Sequence, residues 1–302
     1  MQLWIPDQEG REAIGELPPP VRCELFPRDG PPPEAITGAE FLVPSHATRG
    51  MRELLACMPQ LRVIQTLSAG VDWLMSSVPA GVTVCDARGA RDGAVAEWVL
   101  AALLALSKDL PELRDRQREH RWVADEPEDL AGRTVMILGY GSIGKAVAER
   151  LAPFEVDLIR VARRRRAGVH GAVELPDLLP SAQVLIVLLP FTPETDGLLS
   201  SQLLKLLPDG ALLVNAARGR IIDQDALLEL LSSGRLRAAL DVTEPEPLPH
   251  EHPLWDAPGV LITPHLAGDS RAASRSAFAL VGEQVRRYVS GEHLINVVEH
   301  GY

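Results

Sequence analysis

The chain has 302 residues, enough for two domains with substantial cores, and its 46% hydrophobic and 24% charged content is that of an ordinary globular protein. A net charge of −11 excludes a general binder of nucleic acid or of an anionic membrane, since either needs a basic surface. Cys23, Cys57 and Cys85 form no C-x-x-C pair and have no metal-ligand spacing, so buried free thiols in a reducing cytoplasm are expected, with no metal.

The opening MQLWIPDQEG has neither the basic n-region nor the apolar h-region of a signal peptide. Residues 1–92 alternate short apolar runs with turn-rich or helical stretches. Residues 3–5, 21–26, 40–43, 61–67 and 82–85 read as strands, and 51–57 and 71–75 as helices. Proline runs at 18–20 and 31–33 mark surface connections. The alternation predicts a small parallel α/β unit. Within it, the 66–73 stretch leads from a strand into a helix through small residues. Its backbone N–H groups at Ser68, Ala69, Gly70 and Val71 either hold a carboxylate or form a plain strand-to-helix turn.

A long apolar helix follows over 93–106, too short for the ~20 residues of a membrane span and carrying Glu97. Residues 109–128 are charged, with Trp122 as the one large apolar anchor, and read as an arm on a partner subunit or as a solvated helix. From Arg133 the α/β alternation becomes regular. Strands are expected at 134–138, 156–161, 184–188, 211–215, 238–242 and 260–263, with helices at 144–151, 176–179, 200–207 and 224–232, the last capped by Asp223. This describes a doubly wound, mostly parallel sheet. The helix over 270–290 comes too late to join that sheet and packs back on the first unit in the expected arrangement. The expected domains are thus 1–92 with 268–302, and 93–267.

The first strand of the second half runs into Gly139, Gly141 and Gly144 and then into a helix. That is the strand, G-x-G-x-x-G, helix arrangement of a dinucleotide site. One glycine makes the tight turn, the next lets backbone approach a pyrophosphate, and the third lets helix pack on strand. The helix N-terminus then faces the phosphate charge.

In such sheets ligands bind beyond the carboxyl ends of the strands. Arg218 follows the 211–215 strand, Glu246 the 238–242 strand, and His265 the 260–263 strand. Histidine suits proton transfer near neutral pH, and a neighbouring carboxylate orients an imidazole and favours its charged form. Arginine offers a fixed fork for a carboxylate and an adjacent carbonyl. Beside a nicotinamide, these are the parts for reducing a 2-keto acid.

The segments LSAGVD (67–72), LGYGSIGKAVAERL (138–151), LPFTPETDGLL (189–199), NAARGRIIDQDAL (215–227), ALDVTEPEPLP (239–249) and ITPHLAG (262–268) resemble the D-isomer-specific 2-hydroxyacid dehydrogenase family. The resemblance implies a Rossmann cofactor domain and a smaller flavodoxin-like substrate domain, with a homodimer formed through the cofactor domain. It implies catalytic roles for Arg218, Glu246 and His265, and a substrate carboxylate held at Ala69, Gly70, Val71 and Arg218. It implies cofactor contacts at Tyr140, Gly141, Ser142, Ile143, Pro190, Thr195, Ala216, Ala217, Asp241, His265 and Gly268. NAD-using relatives end the second strand of the cofactor domain with an acid, whereas here it runs into Arg163 and Arg164. Those arginines suit a 2′-phosphate, so NADP(H) is favoured, with NAD(H) left open. The expected activity is interconversion of a small 2-keto acid and its D-2-hydroxy acid. Two other readings stand beside it: a nucleotide-sensing protein like the family's corepressor relatives, and an oxidoreductase of phosphite or phosphoglycerate. Trp4, Arg49, Trp73 and Trp255 are candidates for shaping the substrate pocket.

Overall fold

Short apolar runs flanked by turn residues can bury both faces only between neighbouring strands and beneath helices, and this chain does so in two parallel sheets. The computed structural model describes residues 1–26, 32–45, 50–123 and 126–299. The chain divides into two compact units, Met1–Arg91 with Asp269–Tyr302, and Asp92–Gly268.

The first unit begins with β1 (Gln2–Ile5), α1 (Gln8–Ala13), β2 (Arg22–Leu25), β3 (Ala39–Leu42), α2 (Met51–Ala56), β4 (Val63–Gln65), α3 (Asp72–Met75) and β5 (Thr83–Cys85). Its sheet has the order β2-β1-β3-β4-β5 with every pairing parallel, the flavodoxin-like order. The second unit contains α4 (Asp92–Ser107), α5 (Leu110–Arg118), β6 (Thr134–Leu138), α6 (Ser142–Leu151), β7 (Asp157–Ala162) and β8 (His170–Gly171). It continues with α7 (Leu175–Leu178), β9 (Val184–Val187), α8 (Ser201–Leu204), β10 (Ala211–Asn215), α9 (Gln224–Ser232), β11 (Leu236–Leu240) and β12 (Val260–Ile262). Its seven-stranded parallel sheet runs β12-β11-β10-β9-β6-β7-β8. Strand order reverses at β6 and β9, which sets the ligand crevice beyond the carboxyl end of β6.

Alternate residues of the central strands feed opposite cores. Met136, Leu138, Leu185, Val187 and Leu213 pack on one face, and Val135, Ile137, Val184, Ile186 and Val214 on the other. Both faces are covered, so these strands read as unbroken apolar runs. The chain's last helix, α10 (Arg271–Ser290), belongs to the first unit. Its Phe278, Val281 and Val285 share a core with Leu3, Ile5, Phe41, Val43, Val63 and Cys85. On the same helix the buried Gln284 donates to Gln65 Oε1 at 2.9 Å and to the Ile295 carbonyl at 2.7 Å, while its own oxygen accepts from Ile295 N.

Several expectations need correction. β11 starts and ends two residues earlier than 238–242, because its register with β10 stops at Asn215–Leu240 and Asp241 turns away to another task. The short strand β8 and helix α1 were not anticipated. α1 is polar, with only Gly10 buried, and its signal was Asp7, whose side chain caps Gly10 N at 2.7 Å. Asp223 does cap α9, accepting from Ala226 N at 3.1 Å. In the 109–128 stretch the helix covers only Leu110–Arg118, and Trp122 is fully exposed on the single chain. Of the three thiols only Cys85 is buried; desolvation pushes it up to about 12, whereas Cys23 is half-buried and Cys57 exposed. No helix among the described residues is long and apolar enough to cross a membrane. Arg49 and Pro31 lie outside the described residues.

Candidate active site

The loop between β6 and α6 has the shape its glycines require. Gly139 sits at φ +108°, and a Cβ there would lie 2.5 Å from the Leu188 carbonyl carbon and oxygen. A Cβ on Gly144 would lie 2.6 Å from the Gly139 oxygen, so helix and strand meet only without a side chain. Around Gly141, by contrast, there is open space. Gly141 is also the N-cap of α6 and supplies no side-chain cap, leaving that helix end to an anionic ligand. Tyr140, Ser142 and Ile143 flank this position. A dinucleotide pyrophosphate would fit this cradle.

The arginine cluster after β7 borders the same loop. Arg166 donates to the Tyr140 carbonyl at 2.8 Å, and the Arg160 guanidinium lies 5.7 Å from the Tyr140 ring centroid. Arg163 and Arg164 are exposed. The Glu194 carboxyl is held below its ordinary value by the Thr192 hydroxyl, by its own backbone N–H and by the Arg163 charge. That places Arg163 near the loop that follows β9. In this loop Thr195 Oγ1 donates to the Pro190 carbonyl at 2.8 Å and accepts from Thr192 N at 2.8 Å, closing the turn on itself. Asp196 takes a two-pronged contact from Arg220, at 3.2 and 2.5 Å, and the Arg220 guanidinium lies 5.0 Å from the Phe191 ring centroid. The loops after β9 and β10 are thereby fastened to each other.

The exits of β10, β11 and β12 carry Arg218, Glu246 and His265. After β10, Asn215 shapes the turn by accepting from Ala217 N at 3.0 Å and donating to the Arg218 carbonyl at 3.0 Å. Ala216 is half-buried and Ala217 buried in this turn. Arg218 is half-buried, with Nη1 donating to the Ala217 carbonyl at 2.7 Å. The next residue, Gly219, presses on the chain that follows β11: a Cβ there would lie 2.1 Å from the Thr243 oxygen. Asp241, 3% exposed, uses its carboxylate to hold the turn after β12. It accepts from Thr263 Oγ1 at 2.6 Å, Leu266 N at 2.9 Å and Ala267 N at 2.8 Å, while its carbonyl accepts from His265 N at 2.8 Å. His265 is thus locked at φ +52°, a left-handed conformation uncommon for a side-chain-bearing residue. Its Nδ1 lies 2.5 Å from Glu246 Oε1, and both side chains remain about 40% exposed. A carboxylate at Nδ1 fixes the tautomer with hydrogen on that nitrogen and leaves Nε2 for a substrate. A histidine–carboxylate pair of this geometry can deliver a proton to a nascent alkoxide.

Comparison with known proteins shows which family carries this pair here. Residues 100–267 match the family model described as D-isomer specific 2-hydroxyacid dehydrogenase, NAD binding domain. A glyoxylate reductase/hydroxypyruvate reductase of Mus musculus is 32% identical over 295 residues, covering 90% of this chain and 89% of the mouse protein. The chain belongs to the D-isomer-specific 2-hydroxyacid dehydrogenase family. The D-3-phosphoglycerate dehydrogenase of Mycobacterium bovis is 34% identical over 278 residues, 88% of this chain but 52% of that protein. This dehydrogenase-family chain therefore spans about half the length of such relatives. The crystal structure of a D-isomer-specific 2-hydroxyacid dehydrogenase from Xanthobacter autotrophicus Py2, in complex with NADPH and MES, superposes with a TM-score of 0.87 at 33% identity, covering 100% of this chain and 99% of that one.

The candidate substrate loop of this family member lies in the first unit. Thr66 Oγ1 donates to the Ser68 carbonyl at 2.7 Å, Ser68 Oγ to the Gly70 carbonyl at 2.8 Å, and Trp73 Nε1 to the same Gly70 carbonyl at 3.2 Å. Carbonyls turned toward these donors leave the loop from Ser68 to Val71 defined on one side. Ala69 and Gly70 are half-buried, and Val71 is buried. Gly268 is the last residue of the second unit. Trp73 is a loop fastener, and Trp255 does a similar job by donating to the Pro249 carbonyl at 2.9 Å. Trp4 is 3% exposed and packs against Phe26 in the core, so it shapes no pocket. Sequence reasoning missed Gly219, Arg220 with Asp196, and the loop-holding function of Asp241. Only Asp241 carried a signal, an acid placed directly after a buried strand.

Proposed function

We propose that this chain is an NAD(P)H-dependent reductase of small 2-keto acids, or the reverse dehydrogenase of D-2-hydroxy acids, with NADPH preferred. The observation that carries the reading is the 2.5 Å Nδ1–Oε1 pair of His265 and Glu246, found in a member of this family. A reduced nicotinamide, when bound, supplies the hydride to the keto carbon. Gly141, Ser142 and Ile143 hold its pyrophosphate, and Pro190, Thr195, Ala216, Ala217, Asp241 and Gly268 line the remainder of the cofactor cleft. His265 Nε2 gives its proton to the keto oxygen, and Glu246 keeps the ring oriented and stabilises the imidazolium before transfer. Arg218 grips the substrate carboxylate and polarises the carbonyl. Backbone amides at Ala69, Gly70 and Val71 take the other side of the carboxylate.

Arg163 and Arg164 support the cofactor preference, because no acid follows β7 to receive a ribose hydroxyl pair and exposed guanidinium groups stand there instead. The test is loss of reduced-nicotinamide absorbance with NADPH and NADH in parallel, against glyoxylate, hydroxypyruvate, pyruvate and a bulkier keto acid. Turnover with NADPH preferred is the expected result. NADH preference removes the role given to the arginines, and binding of cofactor with no turnover on any acid overturns the reductase reading.

The working form is a cytoplasmic homodimer joined through the second unit. Leu110, Leu113, Trp122 and Val123 are 53%, 37%, 101% and 46% exposed on or just after α5, an apolar set on an otherwise charged element. Light scattering should give twice the 32.8 kDa chain mass, and a single chain mass at micromolar concentration removes the dimer.

A further inference from the structure

The polypeptide passes from the first unit to the second between Arg91 and Asp92 and returns between Gly268 and Asp269. The two first-unit residues at these passages are joined. Arg91 Nη1 lies 2.6 Å from Asp269 Oδ1, with the arginine side chain 21% exposed and the aspartate 69%. The same guanidinium makes a second contact in another direction: Arg91 Nε donates to the Leu67 carbonyl at 2.6 Å. Leu67 is the residue immediately before the Ser68–Val71 loop, and Asp269 is four residues beyond His265.

A short covalent and hydrogen-bonded route follows from these facts. It runs from His265 along Leu266, Ala267 and Gly268 to Asp269, across the ion pair to Arg91, and across the Nε bond to Leu67 and the amide loop. Its two ends are stiff. Leu266 and Ala267 are fastened to the buried Asp241 carboxylate, and Ser270, next to Asp269, caps α10 by accepting from Ala273 N at 3.0 Å. At the other end Thr66, Ser68 and Trp73 hold the loop's carbonyls. Through its Nε and Nη1, Arg91 bridges two otherwise separate segments of the first unit. A planar guanidinium presents donors at fixed angles, so it can serve both acceptors at once, which a single ammonium cannot.

We propose that Arg91 is a positioning residue of the keto-acid reaction, a clasp that holds the substrate-carboxylate loop after Leu67 to Asp269 at the head of α10. It touches neither substrate nor cofactor in this assignment, and it rests on the proposed reductase function for its kinetic consequence. A loop displaced by about 1 Å costs up to about 10²-fold in rate, so loss of one clasp between stiff ends is expected to cost roughly tenfold.

The experiment compares wild type with Arg91→Ala, Arg91→Lys and Asp269→Asn in three measurements: hydrogen exchange of the peptide spanning Leu67–Asp72, NADPH affinity by fluorescence titration, and steady-state kinetics with the best keto acid. The expected result is faster exchange of that peptide in Arg91→Ala and Arg91→Lys, unchanged NADPH affinity, and a roughly tenfold fall in kcat/KM dominated by a rise in KM. Asp269→Asn, which retains an acceptor for Nη1, should recover most of the loss. Exchange and KM both at wild-type values in the arginine variants overturn the clasp, as does a fall in NADPH affinity and melting temperature equal to the fall in kcat/KM, which marks general destabilisation. The exchange measurement needs no turnover. Accelerated exchange in variants of a protein that reduces no keto acid therefore refutes the proposed function while leaving Arg91 as the anchor of the loop.

Discussion

Replacing His265 with Asn is expected to lower kcat for keto-acid reduction by about 10²–10⁴-fold while leaving NADPH affinity nearly unchanged. Asparagine is the informative choice because of the backbone. His265 is held at φ +52°, and Asn tolerates the left-handed region better than other side-chain-bearing residues. The turn fastened to Asp241 should therefore survive, and with it the position of Glu246. What disappears is a group that can release a proton near neutral pH: an amide can donate a hydrogen bond to the keto oxygen but cannot protonate the alkoxide. Steady-state kinetics beside a fluorescence titration of NADPH separate the two effects. Turnover at the wild-type rate would remove His265 from the mechanism.

Gly219→Ala is expected to damage stability and activity together. The added Cβ would stand 2.1 Å from the Thr243 oxygen, 2.2 Å from its carbon and 2.7 Å from Glu244 N. All three are backbone atoms, so no side chain can swing aside, and either the Arg218 turn or the chain leading to Glu246 must shift. Overpacking of this kind costs about 1–3 kcal/mol, which for a protein of this size lowers the melting temperature by about 2–4 °C per kcal/mol. A shift of about 1 Å between Arg218 and Glu246 should cost up to about 10²-fold in kcat/KM. Calorimetry and kinetics on the same preparation check both numbers. A variant that melts and turns over like wild type would mean that the two loops do not approach as described.

The parts legible in the sequence are those in which a local rule has one physical solution. The 134–138 run followed by three spaced glycines permits little besides strand, phosphate turn and helix, and the structure gives Gly139 and Gly144 distinct packing reasons while Gly141 faces open space. Strand ends at 215 and near 262 were also visible, because buried parallel strands are bounded by polar turns. Partnership across sequence was not. Glu246 and His265 could be paired in advance only through the rule that ligands gather at one sheet edge. The loop-holding contacts of Asp241 reach residues 22 to 26 positions away, so the local signal, an acid directly after a buried strand, does not name its partners. Gly219 looked like any glycine beside an arginine, because its neighbour Thr243 lies on another strand's exit. Trp122 is fully exposed on the single chain, and whether it anchors an arm on a partner subunit or lies on a solvated helix is a matter between chains that no pattern within one sequence encodes.

The placement of α10 has a consequence for how the protein is made. Leu3, Ile5, Phe41, Val43 and Val63 form one face of the first sheet, and Ile14 covers it together with Phe278, Val281 and Val285 of α10. During synthesis residues 3–63 leave the ribosome before residues 278–285 exist, so part of that cover is missing for the interval between them. At about 5–20 residues per second the delay is roughly 10–40 s. The seven-stranded sheet, contiguous in sequence, can complete itself in the meantime. For that interval the first sheet lacks the apolar cover that α10 supplies.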